Sequence, residues 1–168
     1  MKIRLTQKSG VEDKSAVITT VPHKKLPSLV DGWRFNFKKH AQKKGVHAYV
    51  IVCEETPDKI EGCLIFEMKD AVAPFMAYVE LAPDNKGANK KFENVAGCLI
   101  AYACRLSFVY GKDDFLGWLA FEVLEEHKAD EIKLMALYCK KYGALKFGNT
   151  TMVIPPEAGE KLISQYLK

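Results

Sequence analysis

Residues 78–100 read YVELAPDNKGANKKFENVAGCLI, and the periodicity of the apolar residues changes within this stretch. The apolar run 75–81 predicts a strand. The segment 83–97 that follows is rich in lysine, glycine and asparagine. Over 94–110 the apolar residues recur every three or four positions until Gly111, which predicts a helix that ends at this glycine. The stretch therefore predicts a strand, a polar loop and a helix.

A strand, a loop with lysine and glycine, and a helix form an arrangement that can bind phosphate. The first N–H groups of a helix have no intrahelical acceptor and carry a partial positive charge. Asn85, Gly87, Asn89 and Asn94 tolerate a positive φ, so the loop backbone could turn its amides inward. The loop is neither a Walker A motif nor G-x-G-x-x-G. Alone, it leaves open both phosphate binding and an ordinary connection.

The residues before this stretch predict mostly strands. Apolar residues at 26, 30, 33, 37 and 41 have helical spacing and predict one helix over 26–41, with Pro27 in its first turn. Strands are predicted at 2–6, 16–21, 47–53, 60–68 and 75–81. The strands at 47–53 and 60–68 lie so close in sequence that we expect an antiparallel hairpin.

After the helix at 94–110, strands and helices alternate. The pattern predicts a strand at 116–123, a helix at 130–142, a strand at 146–154 and a last helix that begins at Pro155-Pro156. Strands that alternate with crossover helices indicate parallel pairing and a sheet covered on both faces. We therefore predict a mixed α/β domain of three layers over residues 1–168, with an antiparallel hairpin in its first half.

Composition narrows the class of protein. The chain has 168 residues, of which 48% are hydrophobic and 27% charged, as in one globular domain. It has no apolar run of the roughly 20 residues that a membrane helix needs, and the polar start lacks a secretory signal, so we expect a cytoplasmic protein. The net charge of +4 is small for a dedicated nucleic-acid binder. Five widely spaced cysteines predict neither disulfides nor a metal site.

Several motifs in the second half resemble the GNAT superfamily of acetyl-CoA-dependent N-acetyltransferases. Leu81-Ala82-Pro83 is similar to the V-x-P segment that ends the family's fourth strand. Residues 91–96 align with the pyrophosphate loop Q/R-x-x-G-x-G/A, with lysine at 91 and asparagine at 94 in place of the family's residues. Tyr138-Cys139-Lys140 resembles the family's Y-x-K pattern. The strand that ends in Met152-Val153-Ile154 agrees as well.

The resemblance implies a fold, a cofactor and its binding residues. It implies a GNAT-like three-layer fold, in which two parallel strands splay apart and acetyl-CoA lies in the gap as the acyl donor. The backbone of Leu81 and Ala82 would then pair with the pantetheine arm. Amides of residues 91–97 would hold the pyrophosphate, namely those of Lys91, Phe92, Asn94, Val95, Ala96 and Gly97. Lys86, Lys90 or Lys91 would lie near the remaining phosphate.

The resemblance also implies catalytic residues. Tyr138 matches the family's general-acid tyrosine, which protonates the departing thiolate. Glu80 on the fourth strand is the candidate base that neutralises the ammonium of the acceptor. Many relatives need no dedicated base. The acceptor walls would come from Trp33, Phe35 and Phe37 and from residues 112–115 and 124–130, although the three aromatic residues also suit a core.

Three functions remain open at this point. The first is an N-acetyltransferase that acts on a small amine, a peptide N-terminus or a protein lysine. The second is a non-catalytic acyl-CoA-binding module, and the third is a toxin of this superfamily that acetylates aminoacyl-tRNA. For the first, we expect a small-molecule or peptide partner, neither a membrane nor a nucleic acid, and no metal; a homodimer is left open.

Overall fold

A single mixed sheet organises the structure, a computed structural model that describes all residues 1–168. Its strands are β1 (Lys2–Thr6), β2 (Asp13–Thr19), β3 (Val46–Cys53), β4 (Thr56–Lys69), β5 (Ala73–Leu81), β6 (Leu119–Glu122), β7 (Leu145–Lys146) and β8 (Thr151–Ile154). The helices are α1 (Phe37–His40), α2 (Val95–Tyr110), α3 (Lys128–Tyr142) and α4 (Pro156–Tyr166). The spatial order of the strands is β1-β2-β3-β4-β5-β6-β8-β7.

The first five strands form an antiparallel series, of which the sequence predicted only the hairpin of β3 and β4. β3 and β4 are joined by a short turn, which confirms the predicted hairpin, and they pair with Val50 opposite Cys63. β4 then pairs with β5, with Gly62 opposite Leu81. The central strands are buried on both faces, which explains why they read as nearly continuous apolar runs.

The second half contains less parallel pairing than the sequence predicted. β5 and β6 are parallel, but β6 and β8 are antiparallel. The prediction of one strand over 146–154 was wrong, because the chain reverses within it and forms the β7–β8 hairpin. β8 lies between β6 and β7, so the strand that follows the crossover helix has no direct contact with β6. Of the strand predicted at 116–123, only Leu119–Glu122 (β6) forms a strand.

The predicted helix over 26–41 is also wrong. The chain forms 3-10 turns at His23–Lys25 and Leu29–Asp31 and a single α-helical turn at α1. Gly32 between them has a φ of +83°, outside the helical region. Farther along, the amides of Arg34 and Phe35 donate to the Glu80 carboxylate of β5 instead of to helix carbonyls. The apolar spacing therefore reflects burial of an irregular segment, which explains why Val30 is 92% exposed.

Two hydrophobic cores lie on opposite faces of the sheet, so the predicted three-layer arrangement is confirmed. The larger core contains residues of α2, α3 and α4, including Leu99, Met135 and Leu162. The smaller core lies under the segment 22–41 and contains Trp33 and Phe37, which are core residues. Four of the five cysteines are buried and all are free. No helix is both long enough and apolar enough to cross a membrane.

Two glycines allow α2 to approach its neighbours closely. A Cβ on Gly62 of β4 would lie 2.8 Å from side-chain carbons of Val95 and Leu99. A Cβ on Gly97 would lie 2.3 Å from the ring of Tyr166. Both distances are shorter than a carbon–carbon contact allows. These glycines therefore fix the N-terminal end of α2 against β4 on one side and against α4 on the other.

Gly62→Ala is expected to lower the free energy of unfolding by about 2 kcal/mol, because the added methyl overpacks a full core. Urea unfolding measures this change. In a Val95→Ala background, which removes one of the two clashing side chains, the same substitution should cost clearly less. An equal cost in both backgrounds would show that contact with α2 does not determine the effect.

Candidate functional site

A cleft opens between β5 and β6, because these parallel strands pair over two positions only. Phe75 lies opposite Ala120 and Met76 opposite Phe121. β5 continues for five residues to Leu81, whereas β6 ends at Glu122. The edge of β5 that faces this cleft therefore has no strand partner beyond Met76. This is the splay between parallel strands that the sequence predicted.

A cavity of about 770 Å³ extends through this cleft to both faces of the sheet. Residues of β5 alternate between the faces except at Ala77, where a bulge shifts the register with β4. Val79 and Leu81 pack against the larger core, on the side of α2, whereas Ala77 and Tyr78 pack against the smaller core, on the side of α1. We name these two parts of the cavity the α2 half and the α1 half.

The α2 half contains the N-terminus of α2. The first amide of this helix that donates to a backbone carbonyl is that of Cys98, which donates to Asn94. The amides of residues 94–97 have no such acceptor, and no side chain caps the helix. Ala96 and Ile100 line the cavity beside them. Unpaired amides and the helix dipole make this end suited to a phosphate group.

The three amides just before α2, those of residues 91–93, all have acceptors within the protein. The Lys91 amide donates to the Asp84 carbonyl, and that of Phe92 donates to the Asn85 side chain. Glu93 donates to the Thr6 carbonyl of β1. The structure thus separates the predicted phosphate-binding residues. Those at 94–97 present free amides, whereas Lys91 and Phe92 do not, and the Phe92 ring is buried in the larger core.

Asn94 has a contact that the sequence did not indicate. Its side-chain oxygen accepts from the Thr6 amide at 2.8 Å, and its side-chain nitrogen donates to the Arg4 carbonyl at 2.9 Å. Its φ is −110°, so the expected left-handed conformation occurs at Gly87, with a φ of +75°, and not at Asn94. Strand β1 therefore holds the residue that precedes α2.

Glu61 of β4 anchors the same loop to the sheet. It is fully buried, and its Oε2 accepts from the Asn85 side chain at 2.6 Å. Its Oε1 lies 3.6 Å from Lys91 Nζ and 3.9 Å from Lys59 Nζ. Lys91, one of the predicted phosphate-binding lysines, is therefore directed toward Glu61. Lys86 remains as the loop lysine that lines the cavity.

Ala82 at the end of β5 is enclosed by the protein. Its amide donates to the Glu61 carbonyl, and its carbonyl accepts from the Asn85 amide. Only 3% of the residue is exposed. Of the two residues predicted to pair with a pantetheine arm, Leu81 lines the cavity and Ala82 does not.

Tyr138 of α3, the residue predicted as the general acid, lines the cavity. Its ring packs against Phe121 of β6, with the centroids 4.7 Å apart. Burial, with a contribution from the nearby Glu125 carboxylate, raises the pKa of Tyr138 to about 12. The phenol is therefore protonated at neutral pH, as a hydrogen-bond or proton donor must be.

Glu80, the predicted base, is enclosed by hydrogen-bond donors. Its Oε2 accepts from the Arg34 amide at 2.8 Å and from Lys86 Nζ at 2.7 Å. Its Oε1 accepts from the Phe35 amide at 2.9 Å. These contacts stabilise the charged carboxylate and hold residues 34–35 over the cavity. The arrangement makes Glu80 an anchor for the chain segment that covers the α1 half.

His40 lines the α1 half, although no feature of the sequence indicated a role for it. Its imidazole stacks on Tyr78, with the centroids 4.1 Å apart and the planes at 19°. Burial, together with the positive charge of Lys39, lowers the pKa of His40. The apolar spacing predicts a helix through residue 41. That prediction does not indicate that His40 faces β5.

The remaining walls of the α1 half are aromatic and cationic. Phe35, Leu124 and Glu125 line it, whereas residues 112–115 lie outside it. Glu67 at its base is paired with two lysines, at 3.4 Å from Lys43 and 2.9 Å from Lys69. Lys39 lines the same half, and Arg34 and Lys86 are paired there with Glu125 and Glu80. Five cations against three glutamates give this part of the cavity a net positive charge.

Solved structures with the same fold are known. A chain of the KacTA–DNA complex has a TM-score of 0.60 at 14% identity, covering 89% of this chain and 99% of its own. The spermidine/spermine N-acetyltransferase SpeG from Vibrio cholerae has a TM-score of 0.59 at 14% identity, covering 87% and 96%. A tyrosine-to-phenylalanine mutant of the AtaT toxin, bound to the C-terminus of the antitoxin AtaR and acetyl-CoA, has a TM-score of 0.57 at 17% identity, covering 89% and 99%.

These similarities establish the fold. The chain has the fold of the GNAT acetyltransferases, as its sequence motifs predicted, over nearly the whole length of these structures. No protein-family model matches the sequence, and no curated protein matches it. Its identity to the solved structures lies between 14% and 17%, so the similarity concerns the backbone arrangement and leaves the activity to be argued from the site.

Proposed function

We propose that this protein is an N-acetyltransferase that moves the acetyl group of acetyl-CoA directly to an amine. One observation carries the proposal: a single cavity leads from the free amides of α2, past the unpaired edge of β5, to the α1 half on the other face. A phosphate-bearing thioester and a second substrate could thus meet in the cleft from opposite faces. Structures of AtaT with acetyl-CoA bound add support through the shared fold.

The residues of the α2 half suit acetyl-CoA. The amides of residues 94–97 would hold the pyrophosphate, since the start of α2 provides partial positive charge at one end of the cavity. The edge of β5 near Leu81 would pair with the amides of the pantetheine arm, as an added strand would. Acetyl-CoA would supply the acyl group as an activated thioester. The carbonyl of that thioester would then lie beside the middle of β5.

Tyr138 is proposed as the donor to the leaving thiolate. It lines the cavity from α3, and its raised pKa keeps its proton in place until sulfur develops negative charge. AtaT and KacT, which share the fold, have been crystallised as tyrosine-to-phenylalanine mutants. Glu80 is proposed to act mainly by holding residues 34–35, because donors occupy both of its oxygens.

The charge of the α1 half limits the classes of acceptor that suit this site. A polyamine, such as the substrates that the name of SpeG specifies, would meet Lys39, Lys43 and Lys69, and the glutamates of this half are already paired with cations. An amine in a molecule that also carries an anionic group fits this surface better. Among the acceptor classes left open by the sequence, free amino acids and acidic peptides with a free N-terminus suit it best.

The proposal is tested by binding and by turnover. We expect calorimetry to show micromolar binding of acetyl-CoA, and a thiol reagent to detect free CoA once a suitable amine is added. The amine panel should contain amino acids, an acidic peptide, spermidine and an aminoacyl-tRNA. Spermidine is expected to be the poorest small acceptor. Binding without turnover on any amine would favour a non-catalytic acyl-CoA-binding module, and turnover only on aminoacyl-tRNA would favour the toxin.

A further inference from the structure

His40 occupies a fixed position in the α1 half. It is the last residue of α1, whose first turn is capped by the Asn36 side chain, which accepts from the Lys39 amide at 3.1 Å. The His40 amide donates to the Asn36 carbonyl at 3.0 Å. Its ring is held flat against Tyr78, a residue on the part of β5 that has no partner in β6. The imidazole therefore lies beside the cleft that connects the α1 half and the α2 half of the cavity.

The carboxylates of the cavity are occupied by other groups of the protein. Each of them already accepts from a cation, an amide or a hydroxyl group. The pairs are Glu67 with Lys43 and Lys69, Glu80 with Lys86 and the amides of Arg34 and Phe35, Glu125 with Arg34, and Glu122 with Thr150 and Thr151. The imidazole of His40 has no hydrogen-bond or ion-pair partner of this kind and stacks on Tyr78.

The electrostatic surroundings keep this imidazole neutral. Facing it are Lys39 of its own helix and Tyr78 of β5, and the same half contains Lys43 beyond α1 and the paired Glu67 and Lys69 of β4. Burial and the positive charge of Lys39 lower the pKa of His40 from the ordinary value of 6.5. At pH 7 most of the imidazole therefore has a free nitrogen lone pair.

We propose that His40 is the general base of the acetyl transfer, an assignment that rests on the proposed function. An imidazole nitrogen of His40 takes a proton from the ammonium of the acceptor. The neutral amine then attacks the thioester carbonyl, a C–N bond forms and the C–S bond breaks. Tyr138 donates a hydrogen bond to the departing thiolate, which takes a proton from the product nitrogen through solvent, and His40 releases its proton to water. The products are an acetamide, CoA with a free thiol, and one proton.

The test compares His40→Asn with the matched variant His23→Asn, whose histidine lies in an exposed 3-10 turn outside the cavity. We expect His40→Asn to lower kcat/KM at pH 7 about 100-fold and to remove the acidic limb of the pH profile, while acetyl-CoA binds as before. His23→Asn should keep the wild-type rate and profile. Added imidazole should restore part of the activity of His40→Ala.

A proton titration of the imidazole by NMR supplies a readout that does not depend on turnover. The His40 signal, assigned by its loss in His40→Asn, should titrate below 6.5, and the acidic limb of kcat/KM should follow it. A His40→Asn enzyme with the wild-type rate and pH profile would overturn the inference and leave the proposed function intact. If the wild-type protein transfers acetyl to none of the amines, this result would instead contradict the proposed function.

Discussion

Tyr138→Phe is expected to turn over about 100-fold more slowly than the wild type while it binds acetyl-CoA with unchanged affinity. The substitution removes one hydroxyl and keeps the ring that packs on Phe121. No hydrogen bond within the protein contributes to the pKa of this phenol, so its hydroxyl is available to a bound molecule. The loss should therefore appear in kcat, which steady-state release of free CoA measures, and not in the calorimetric affinity.

The raised pKa determines whether Tyr138 acts by complete proton transfer or by hydrogen bonding. With a pKa of about 12, the phenol is a weaker acid than a thiol, whose pKa is near 8.5 in a free cysteine. Complete transfer to a fully formed thiolate would be uphill. A hydrogen bond that strengthens as the C–S bond breaks is favourable, because it stabilises sulfur in the transition state more than in the bound thioester.

Tyr49→Phe is the matched control. Burial also raises the pKa of Tyr49 to about 12, but this residue packs against Tyr102 and lies outside the cavity. Loss of its hydroxyl should leave turnover unchanged. A Tyr138→Phe enzyme as fast as Tyr49→Phe would contradict the assignment of Tyr138 as the donor, and the role would then belong to water or to another residue.

The sequence predicted best those elements whose residues alternate or recur with a clear period. The strands around Val50, Ile65 and Val79 and the helix α2 were all found, because each buries a regular set of apolar side chains. The cavity follows from the same elements, since the end of β5 and the start of α2, where the amides are unpaired, lie close together in the chain. Tyr138 was found through a motif and not through any physical property of its neighbourhood.

The sequence could not predict contacts between residues far apart in the chain. Glu80 accepts from the amides of Arg34 and Phe35, and this pairing replaces the helix that the apolar spacing indicated. The bonds from Asn94 to β1 are equally distant. His40 could be recognised as a candidate site residue only from the structure, in which the single turn of α1 places it on Tyr78. In each case a polar side chain finds its partner through the fold.

Ala96→Glu is expected to weaken acetyl-CoA binding by about 100-fold without loss of stability. Ala96 is the second residue of α2, lines the cavity and is only partly buried. A carboxylate in the first turn of a helix interacts favourably with the helix dipole, by about 0.5 kcal/mol. The same negative charge would occupy the position proposed for the pyrophosphate and would repel it, at roughly 1 to 4 kcal/mol for each pair of charges at close range.

Ala96→Gln separates charge from size. The amide has nearly the same volume as the carboxylate, so a loss of affinity that both variants share measures obstruction of the cavity. The additional loss in Ala96→Glu measures repulsion, and it should shrink at high salt because exposed charges are screened. Calorimetry gives both affinities, and thermal unfolding shows whether α2 is intact. Equal affinities for acetyl-CoA in the two variants and the wild type would place the phosphates away from the N-terminus of α2, and the proposed orientation of the thioester beside β5 would have to be abandoned.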